Sequence, residues 1–319
     1  MKQMNILYTA ILCLALLASA CTNEDTPENT WEYPGPRPAI TNGPAKAQKM
    51  CYGLWQKYDL HVYYNLSGDE ALKSGIGEIQ VMRIKVINPN ALPMQAANEA
   101  SAERFLTLFT HFYELLPAEL VTHDLHRRHV LVKINPAENR YTDTDGNRIY
   151  AYSIRDGLEQ GILHYGYLDS DTDTDNRLYS DIKGWKWTLA YEFFRGLMYK
   201  SHGGYTYPAA YGAISNGLYL FETAKDCLNF FTKTYDSILG KEYGFVHYLG
   251  ATGSAQYVDD DWGTFVAWIL TTPKNERDSD LKTYDRLKQK YDIVIPFYRE
   301  NYNIDLEALS VKIQSLTID

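Results

Sequence analysis

The chain has 319 residues, of which 45% are hydrophobic and 22% are charged. A chain of this length and composition can bury a core large enough for one large domain or two small ones. Its formal net charge is −9, so it has no overall excess of basic residues with which to bind nucleic acid or an anionic lipid surface. Composition therefore indicates a globular protein and excludes nucleic acid as an expected partner.

The first twenty residues have the pattern of a secretory signal peptide. Lys2 precedes an apolar run over residues 6–17, and small residues then lead to Cys21. The run is too short to span a bilayer, and cleavage before a cysteine that becomes acylated is typical of bacterial lipoproteins. We predict a signal peptide at residues 1–20 and lipid attachment at Cys21. Ordinary signal cleavage beside an incidental cysteine is the alternative.

Residues 21–46 predict a flexible tether in front of a folded domain at residues 47–319. The tether is first acidic and then rich in proline, a composition that favours an extended chain. Acidic residues soon after a lipidated cysteine resemble the signal that sends some lipoproteins to the cell surface. The expected location is therefore the outer membrane, facing outward. Two further cysteines, Cys51 and Cys227, are expected to be buried and free, although they form a possible disulfide pair.

The predicted elements are strands mixed with helices at first and mostly helices later. Residues 50–64 predict a helix end that runs into a strand, and residues 76–87 favour a strand. Residues 102–116 have apolar positions at helical spacing, and Pro117 ends that helix. A buried strand follows over residues 129–134, and then a hairpin over residues 140–154 that turns at Asp145-Gly146. Further helices are predicted over residues 182–202, 218–239, 262–270, 281–301 and 306–316. The order indicates an α+β fold.

The aspartate run over residues 169–177 has some features of a calcium-binding loop. Asp169, Asp171 and Asp173 alternate as in an EF-hand. However, Thr174 stands where that loop needs glycine, and Ser180 stands where the bidentate glutamate belongs. A solvated acidic loop explains the run better.

Three histidines, His123, His126 and His129, follow one another at three-residue steps. Such steps bring side chains near one helical face and are compatible with a metal pair. The flanking Arg127-Arg128 disfavours a cation, and no carboxylate or thiolate stands close in the sequence to complete a site. We therefore predict a polar loop here.

Residues 191–195 have the frame of a zinc-binding His-Glu-x-x-His helix without the two histidines. In that motif the histidines lie on one helical face and bind zinc, and the glutamate polarises the attacking water. Here the frame reads Tyr191, Glu192 and Arg195. Tyrosine is a weak zinc ligand, and arginine has no lone pair to donate. Arg195 is also placed to pair with Glu192, three residues earlier on the same helix.

Four segments around this helix appear in the order and spacing of a known family. They are "LVKINPAENRYTDTDGNRIYAYS", "WTLAYEFFRGLMYK", "EYGFVHYLGATGSAQYVDDDWGTFVAWIL" and "LKQKYDIVIPFYRENYNIDLEAL". From about residue 120 to residue 318 the chain thus resembles the zinc-binding metallopeptidase lipoproteins, also called substrate import-associated zinc metallohydrolase lipoproteins. Those proteins occur in loci for TonB-linked outer-membrane nutrient uptake. The resemblance implies a zincin-like α+β fold with a mostly helical C-terminal half.

The chain departs from the family pattern at the zinc ligands. Tyr191 and Arg195 replace both histidines. The family's Glu-Asp-Phe-Ala-Glu segment reads Asp260, Asp261, Trp262, Gly263 and Thr264, so its last glutamate is also replaced. The acidic pair at 260 and 261 is kept, and the glutamate at 192 is the remnant of the general base. The resemblance therefore implies a degenerate site and no bound zinc.

The expected function is that of an accessory or binding component of a TonB-linked import system, with the importer and its lipoprotein partner as candidate partners. A peptide or glycan ligand would bind in the former active-site groove. The groove would be lined by Tyr191, Glu192, Arg195, Asp260 and Asp261 and flanked by Trp185, Trp187, Tyr199, Tyr205, Tyr207 and Trp262, although most of these aromatics are expected to pack in the core.

Two other functions remain open at the level of sequence. One is an active zinc metallohydrolase or peptidase that processes an imported substrate with relocated ligands such as His202 or His247. Zinc is an expected cofactor only in that case. The other is a purely structural role, in which the helical half docks onto the importer.

Overall fold

The structure is a computed structural model, and it describes nine stretches of the chain. These are residues 38–66, 96–122, 128–131, 153–155, 162–165, 182–198, 206–219, 237–246 and 258–318. The predictions for residues 1–37, the strand at 76–87, the turn at Asp145-Gly146 and the aspartate run all lie outside the described residues.

A small mixed sheet follows the first described helix. Helix α1, Lys46–Tyr58, leads into strand β1, His61–Tyr63. The other strands are β2, Arg128–Leu131, β3, Ser153–Arg155, and β4, Ile162–Tyr165. The strand order is β1-β2-β4-β3, in which β1, β2 and β4 run parallel and β3 is an antiparallel edge strand.

Nine further helices are present in the described residues. Two of them precede β2: α2, Glu99–Glu114, and α3, Ala118–Thr122. The remaining helices follow β4: α4, Ile182–Leu197; α5, Ala209–Ile214; α6, Ser237–Tyr243; α7, Val258–Thr271; α8, Lys274–Thr283; α9, Asp285–Tyr302; and α10, Leu306–Ser315. Mostly helical structure with a small sheet is compatible with the predicted α+β class. Among the described residues, no helix is both long enough and apolar enough to cross a membrane.

Several predicted elements are confirmed, with shifted ends. Helix α2 begins three residues before the predicted start, because the side chain of Asn98 caps it by accepting a hydrogen bond from the backbone N–H of Ser101 at 2.9 Å. The helix predicted over residues 281–301 is confirmed as α9, Asp285–Tyr302, but it begins four residues later than predicted. Residues 281–283 belong to the end of α8, and Tyr284, whose backbone is extended (φ −118°, ψ 100°), separates the two helices.

The histidine cluster was predicted to be a polar loop, and its last histidine was also predicted to begin a buried strand. The described residues confirm the strand and correct the loop. Arg128 and His129 are the first residues of strand β2, and both are buried. The hydroxyl of Tyr165 lies 3.3 Å from Nδ1 of His129, and the two rings stack with centroids 5.8 Å apart. His129 is therefore a core residue of the sheet. The other two histidines of the cluster lie outside the described residues.

Helix α4 lies at the centre of the core. It packs most extensively against α7 and also contacts α2 and α10. Aromatic rings of α2 meet α4 directly, as Phe105 does with Trp185 at a centroid distance of 5.0 Å. Every residue of α4 from Thr188 to Leu197 is buried. A helix buried on all sides belongs to the interior of a domain, so the candidate zinc frame on α4 is enclosed by its neighbours.

Candidate functional site

The helix frame at residues 191–195 lies in the contact between α4 and α7. Gly263 of α7 faces Arg195 and Tyr191. A Cβ at position 263 would lie 2.6 Å from Cβ of Arg195 and 3.2 Å from Cδ2 of Tyr191, distances that leave no room for a methyl group. The helical face that would carry the zinc ligands is thus covered by α7.

The three side chains of the frame are buried at this contact. Tyr191 is 7% exposed, Glu192 is 3% exposed and Arg195 is 8% exposed. Trp187, one turn earlier, stacks on Tyr191 with a centroid distance of 4.9 Å and an interplanar angle of 12°. The sequence suggested that one face of the helix lines a groove, but in the structure these side chains lie within the protein interior.

The residues at the predicted ligand positions do not fit a zinc ion. Arginine at 195 has no lone pair, and tyrosine at 191 is a poor zinc donor. The hydroxyl of Thr264 donates a hydrogen bond to the backbone carbonyl of Asp261 at 2.9 Å, so its proton is already engaged. Among the described residues, no group of three or more His, Cys, Asp or Glu side chains is placed to hold a metal ion.

The carboxylate of Asp261 is held by other groups of the protein. It is fully buried, and its Oδ2 accepts hydrogen bonds from Nζ of Lys290 at 2.6 Å and from the hydroxyl of Tyr219 at 2.8 Å. Its Oδ1 is buried and has no hydrogen-bond partner within the part of the chain that the structure describes. Asp261 therefore belongs to a buried ion pair between α7 and α9.

Lys290 is enclosed by aromatic rings. Its Nζ lies 4.6 Å from the ring centroid of Phe245, 5.0 Å from that of Tyr211 and 5.9 Å from that of Tyr219. It also donates to the backbone carbonyl of Gly244 at 2.9 Å. We call Asp261, Lys290 and these four surrounding residues the lysine cage.

Burial dominates the electrostatics of the lysine cage. Desolvation raises the pKa of the Asp261 carboxyl, although Lys290 and the tyrosine hydroxyls act in the opposite direction. Desolvation likewise lowers the pKa of the Lys290 ammonium, although Asp261 acts in the opposite direction. Both shifts bring the pair closer to its uncharged form, in which the proton is shared or transferred.

Sequence reasoning missed the role of Lys290, although the sequence contains a signal for it. In α9 the buried residues are Leu287, Lys290, Val294 and Tyr298. They recur at three- and four-residue steps, so the lysine stands on the apolar face of its helix. A cation in such a position needs a buried partner. That partner is Asp261, the second residue of the acidic pair at 260 and 261.

The other predicted site residues are divided between the core and undescribed regions. Trp185 and Trp262 are fully buried, and Nε1 of Trp262 donates to the hydroxyl of Tyr298 at 2.8 Å. Trp187 and Tyr207 are half-buried. The side chain of Asp260 and the residues Tyr199, Tyr205, His202 and His247 lie outside what the structure describes.

A cavity of about 300 Å³ lies between residues 38–41, helix α1 and residues 62–66. Cys51 lines it and has a free, buried thiol, as predicted for this cysteine. Burial raises the pKa of that thiol to about 12, so it stays protonated at neutral pH and is a weak nucleophile. The cavity thus adds no reactive cysteine. Cys227 lies outside the described residues.

Comparisons with known proteins add a likeness of fold. No protein-family model matches the sequence, and no curated protein matches it. The fold is similar to the 2.10 Å crystal structure of a Bacteroides caccae protein thought to be a zinc-binding metallo-peptidase. The TM-score is 0.52 at 15% sequence identity, and the match covers 86% of this chain and 94% of that one. Identity this low shows a shared fold alone.

Proposed function

We propose that this chain is a lipid-anchored envelope protein with a zincin-like fold that binds a ligand or partner and does not hydrolyse a substrate with zinc. The observation that carries the proposal is the contact between α4 and α7 at Gly263. It encloses Tyr191 and Arg195, the residues at the two histidine positions, in a helix interface. The fold likeness to a metallopeptidase-type protein supports the relatedness.

The chemistry of the enclosed residues supports a binding role. Zinc hydrolysis needs three protein ligands and one open coordination position for water. Arg195 would repel the ion, Thr264 replaces the acidic ligand, and the Asp261 carboxylate is held by Lys290. Glu192 would then have no metal-bound water to activate.

The cellular part of the proposal rests on the sequence. Residues 1–20 and Cys21 support export and acylation, and the acidic tether supports the outer membrane surface. We propose a TonB-dependent importer and its lipoprotein partner as the assembly that this protein joins. A peptide or glycan is the proposed ligand. Of the described aromatic residues predicted to flank the groove, Trp187 and Tyr207 are half-buried and therefore partly accessible to it.

Metal analysis of the purified mature chain tests the loss of zinc. We expect well under one zinc per chain after dialysis against a zinc-containing buffer. The matched variant Tyr191→His/Arg195→His/Thr264→Glu restores the family's ligand types on the same helices. We expect it to bind about one zinc per chain.

Stoichiometric zinc in the unaltered chain that disappears in a His202→Ala or His247→Ala variant would contradict this proposal. It would show that the zinc ligands are relocated, as the metallohydrolase alternative requires. Zinc binding that is equal in all variants would point to a site elsewhere and would also count against the proposed role of residues 191 and 195.

Anchoring and partnership need separate measurements. A Cys21→Ser variant should lose metabolic acyl labelling and membrane association, whereas Cys51→Ser should keep both. Protease treatment of intact cells should remove the unaltered protein if it faces outward.

Co-purification from solubilised membranes tests whether the protein binds the importer. Loss of ligand binding in Trp187→Ala but not in Val311→Ala would show that the Trp187 side chain contacts the ligand.

A further inference from the structure

The lysine cage brings an amine and a carboxyl group together away from bulk solvent. Nζ of Lys290 and Oδ2 of Asp261 are 2.6 Å apart, and the two side chains are 0% and 1% exposed. The partners come from different helices, α9 and α7. The rings of Phe245, Tyr211 and Tyr219 cover the amine.

We propose that Lys290 and Asp261 are the site of a self-formed isopeptide bond that cross-links α7 to α9. This covalent modification goes beyond the proposed binding function and does not depend on it.

The reaction balances without a cofactor or an oxidant. Proton transfer within the pair gives a neutral amine and a neutral carboxylic acid. The lone pair of Nζ attacks Cγ of Asp261, a carbon–nitrogen bond forms, and the bond from Cγ to Oδ2 breaks. The departing oxygen takes one proton from the acid and one from the amine and leaves as water. The product is an amide, so no atom changes its oxidation state.

Three features of the cage favour this step over a permanent ion pair. Burial disfavours the two charges and therefore favours the neutral reactants. Fixing the reactants in contact gives the high effective concentration that makes intramolecular condensations fast. The hydroxyl of Tyr219 donates to Oδ2, the oxygen that leaves, and so withdraws charge from it.

The amide product is also better suited to the buried lysine cage than the ion pair is, because the amide carries no charge. Oδ1 of Asp261 has no hydrogen-bond partner among the described residues, and an unsatisfied carboxylate oxygen is costly inside a protein. Amide formation removes its negative charge. The new amide N–H keeps its acceptor, because the carbonyl of Gly244 already lies 2.9 Å from Nζ.

Intact mass spectrometry of the purified full chain under denaturing conditions tests the proposal. We expect a mass one water below the full sequence mass, which is the mass calculated for residues 21–319 with the acyl group on Cys21. After trypsin digestion, a branched peptide should join the fragments that contain Asp261 and Lys290, and cleavage after Lys290 should be lost.

The control variant Lys290→Arg keeps the cation and the helix but lacks the lysine amine. It should show the full sequence mass. Dehydration at Asp145-Gly146, which forms a succinimide with the same loss of water, would persist in this variant. If Lys290→Arg does not fold, the branched peptide of the unaltered chain decides the question alone. A full mass in the folded, unaltered chain, or a loss of water without the branched peptide, would overturn the proposal.

Discussion

At the scale of single residues, the absence of a side chain at Gly263 allows α7 to approach α4 closely. The opposing atoms are Cβ and Cα of Arg195, at 2.6 Å and 3.2 Å from where a Cβ would stand. Neither atom lies at the end of a flexible side chain, so a larger residue has to move the helix backbones apart. Gly263 thus faces Arg195, the residue at the second histidine position of the zinc-helix frame.

The variant Gly263→Ala tests this close approach. Overpacking of a tight interface costs about 1–3 kcal/mol, and we expect a loss of stability in that range. The control is Gly53→Ala, which lies in the exposed part of helix α1 with nothing within 4 Å of its Cβ position. There the higher helix propensity of alanine should raise stability by up to about 1 kcal/mol. Urea unfolding measures both. Equal effects of the two variants would mean that α4 and α7 are not in tight contact.

At the scale of elements, the end of α7 depends on the helices that follow it. Nη1 of Arg277 and Oγ of Ser310 both donate to the carbonyl of Ile269. Nε2 of Gln314 donates to the carbonyl of Thr272 at 3.1 Å. The last carbonyls of a helix lack partners inside it, so α8 and α10 supply donors that α7 cannot. Lys186 of α4 in turn donates to the carbonyl of Gln314 at 2.7 Å. The four helices are thus joined through their polar groups.

Arg277 is the most buried charge of this arrangement. It is 2% exposed, and its Nη2 lies 2.6 Å from Oε2 of Glu307. The other carboxylate oxygen, Oε1 of Glu307, accepts a hydrogen bond from the hydroxyl of Tyr291. Replacing it by methionine leaves the Ile269 carbonyl and the Glu307 carboxylate with fewer partners. Since breaking a buried pair by removing one partner costs about 3–5 kcal/mol, we expect Arg277→Met to lose most of that amount, allowing for the partial exposure of Glu307.

The matched control for Arg277→Met is Lys274→Met on the same helix. Lys274 pairs with Asp278 one turn away, and both are exposed. Exposed pairs contribute about 0–1 kcal/mol, so this loss should be small. Thermal unfolding followed by circular dichroism compares the two variants. A comparable decrease in both would show that the buried network adds no stability beyond a surface ion pair.

Apolar periodicity and Pro117 were sufficient to locate most of the described elements from the sequence. The sequence did not reveal which distant elements contact each other. The predicted helix at 102–116 appears as α2, because its apolar positions recur at one helical face. Enclosure of residues 191–195 by α7 depends on the absence of a side chain at Gly263. The sequence does not show which helix faces Gly263, so it could not predict this enclosure. The pair of Asp261 and Lys290 is likewise a contact between residues 29 positions apart.

At the scale of the whole molecule, α4 joins the sheet half to the helical half. Trp185 on α4 contacts Phe105 of α2, and Phe194 on α4 contacts Tyr298 of α9 at a centroid distance of 5.3 Å. Most of the buried apolar residues, from Ala47 near the start of the described chain to Ile313 near its end, form one large cluster, and Tyr219 and Phe245 form a second, smaller one. A shared core with a common central helix indicates cooperative unfolding of both halves.

A substitution in the last helix tests that cooperativity across the molecule. Ile313 on α10 is fully buried, and Ile313→Ala should cost about 2–5 kcal/mol through the cavity it leaves. Val311, two residues earlier and 71% exposed, provides the control, and Val311→Ala should change stability by less than about 0.5 kcal/mol. Because the core is continuous, Ile313→Ala should shift tryptophan fluorescence and far-ultraviolet circular dichroism to the same lower denaturant midpoint. If the two signals separated, so that helix content persisted after the tryptophans became exposed, the halves would unfold independently and α4 would not be the element that couples them.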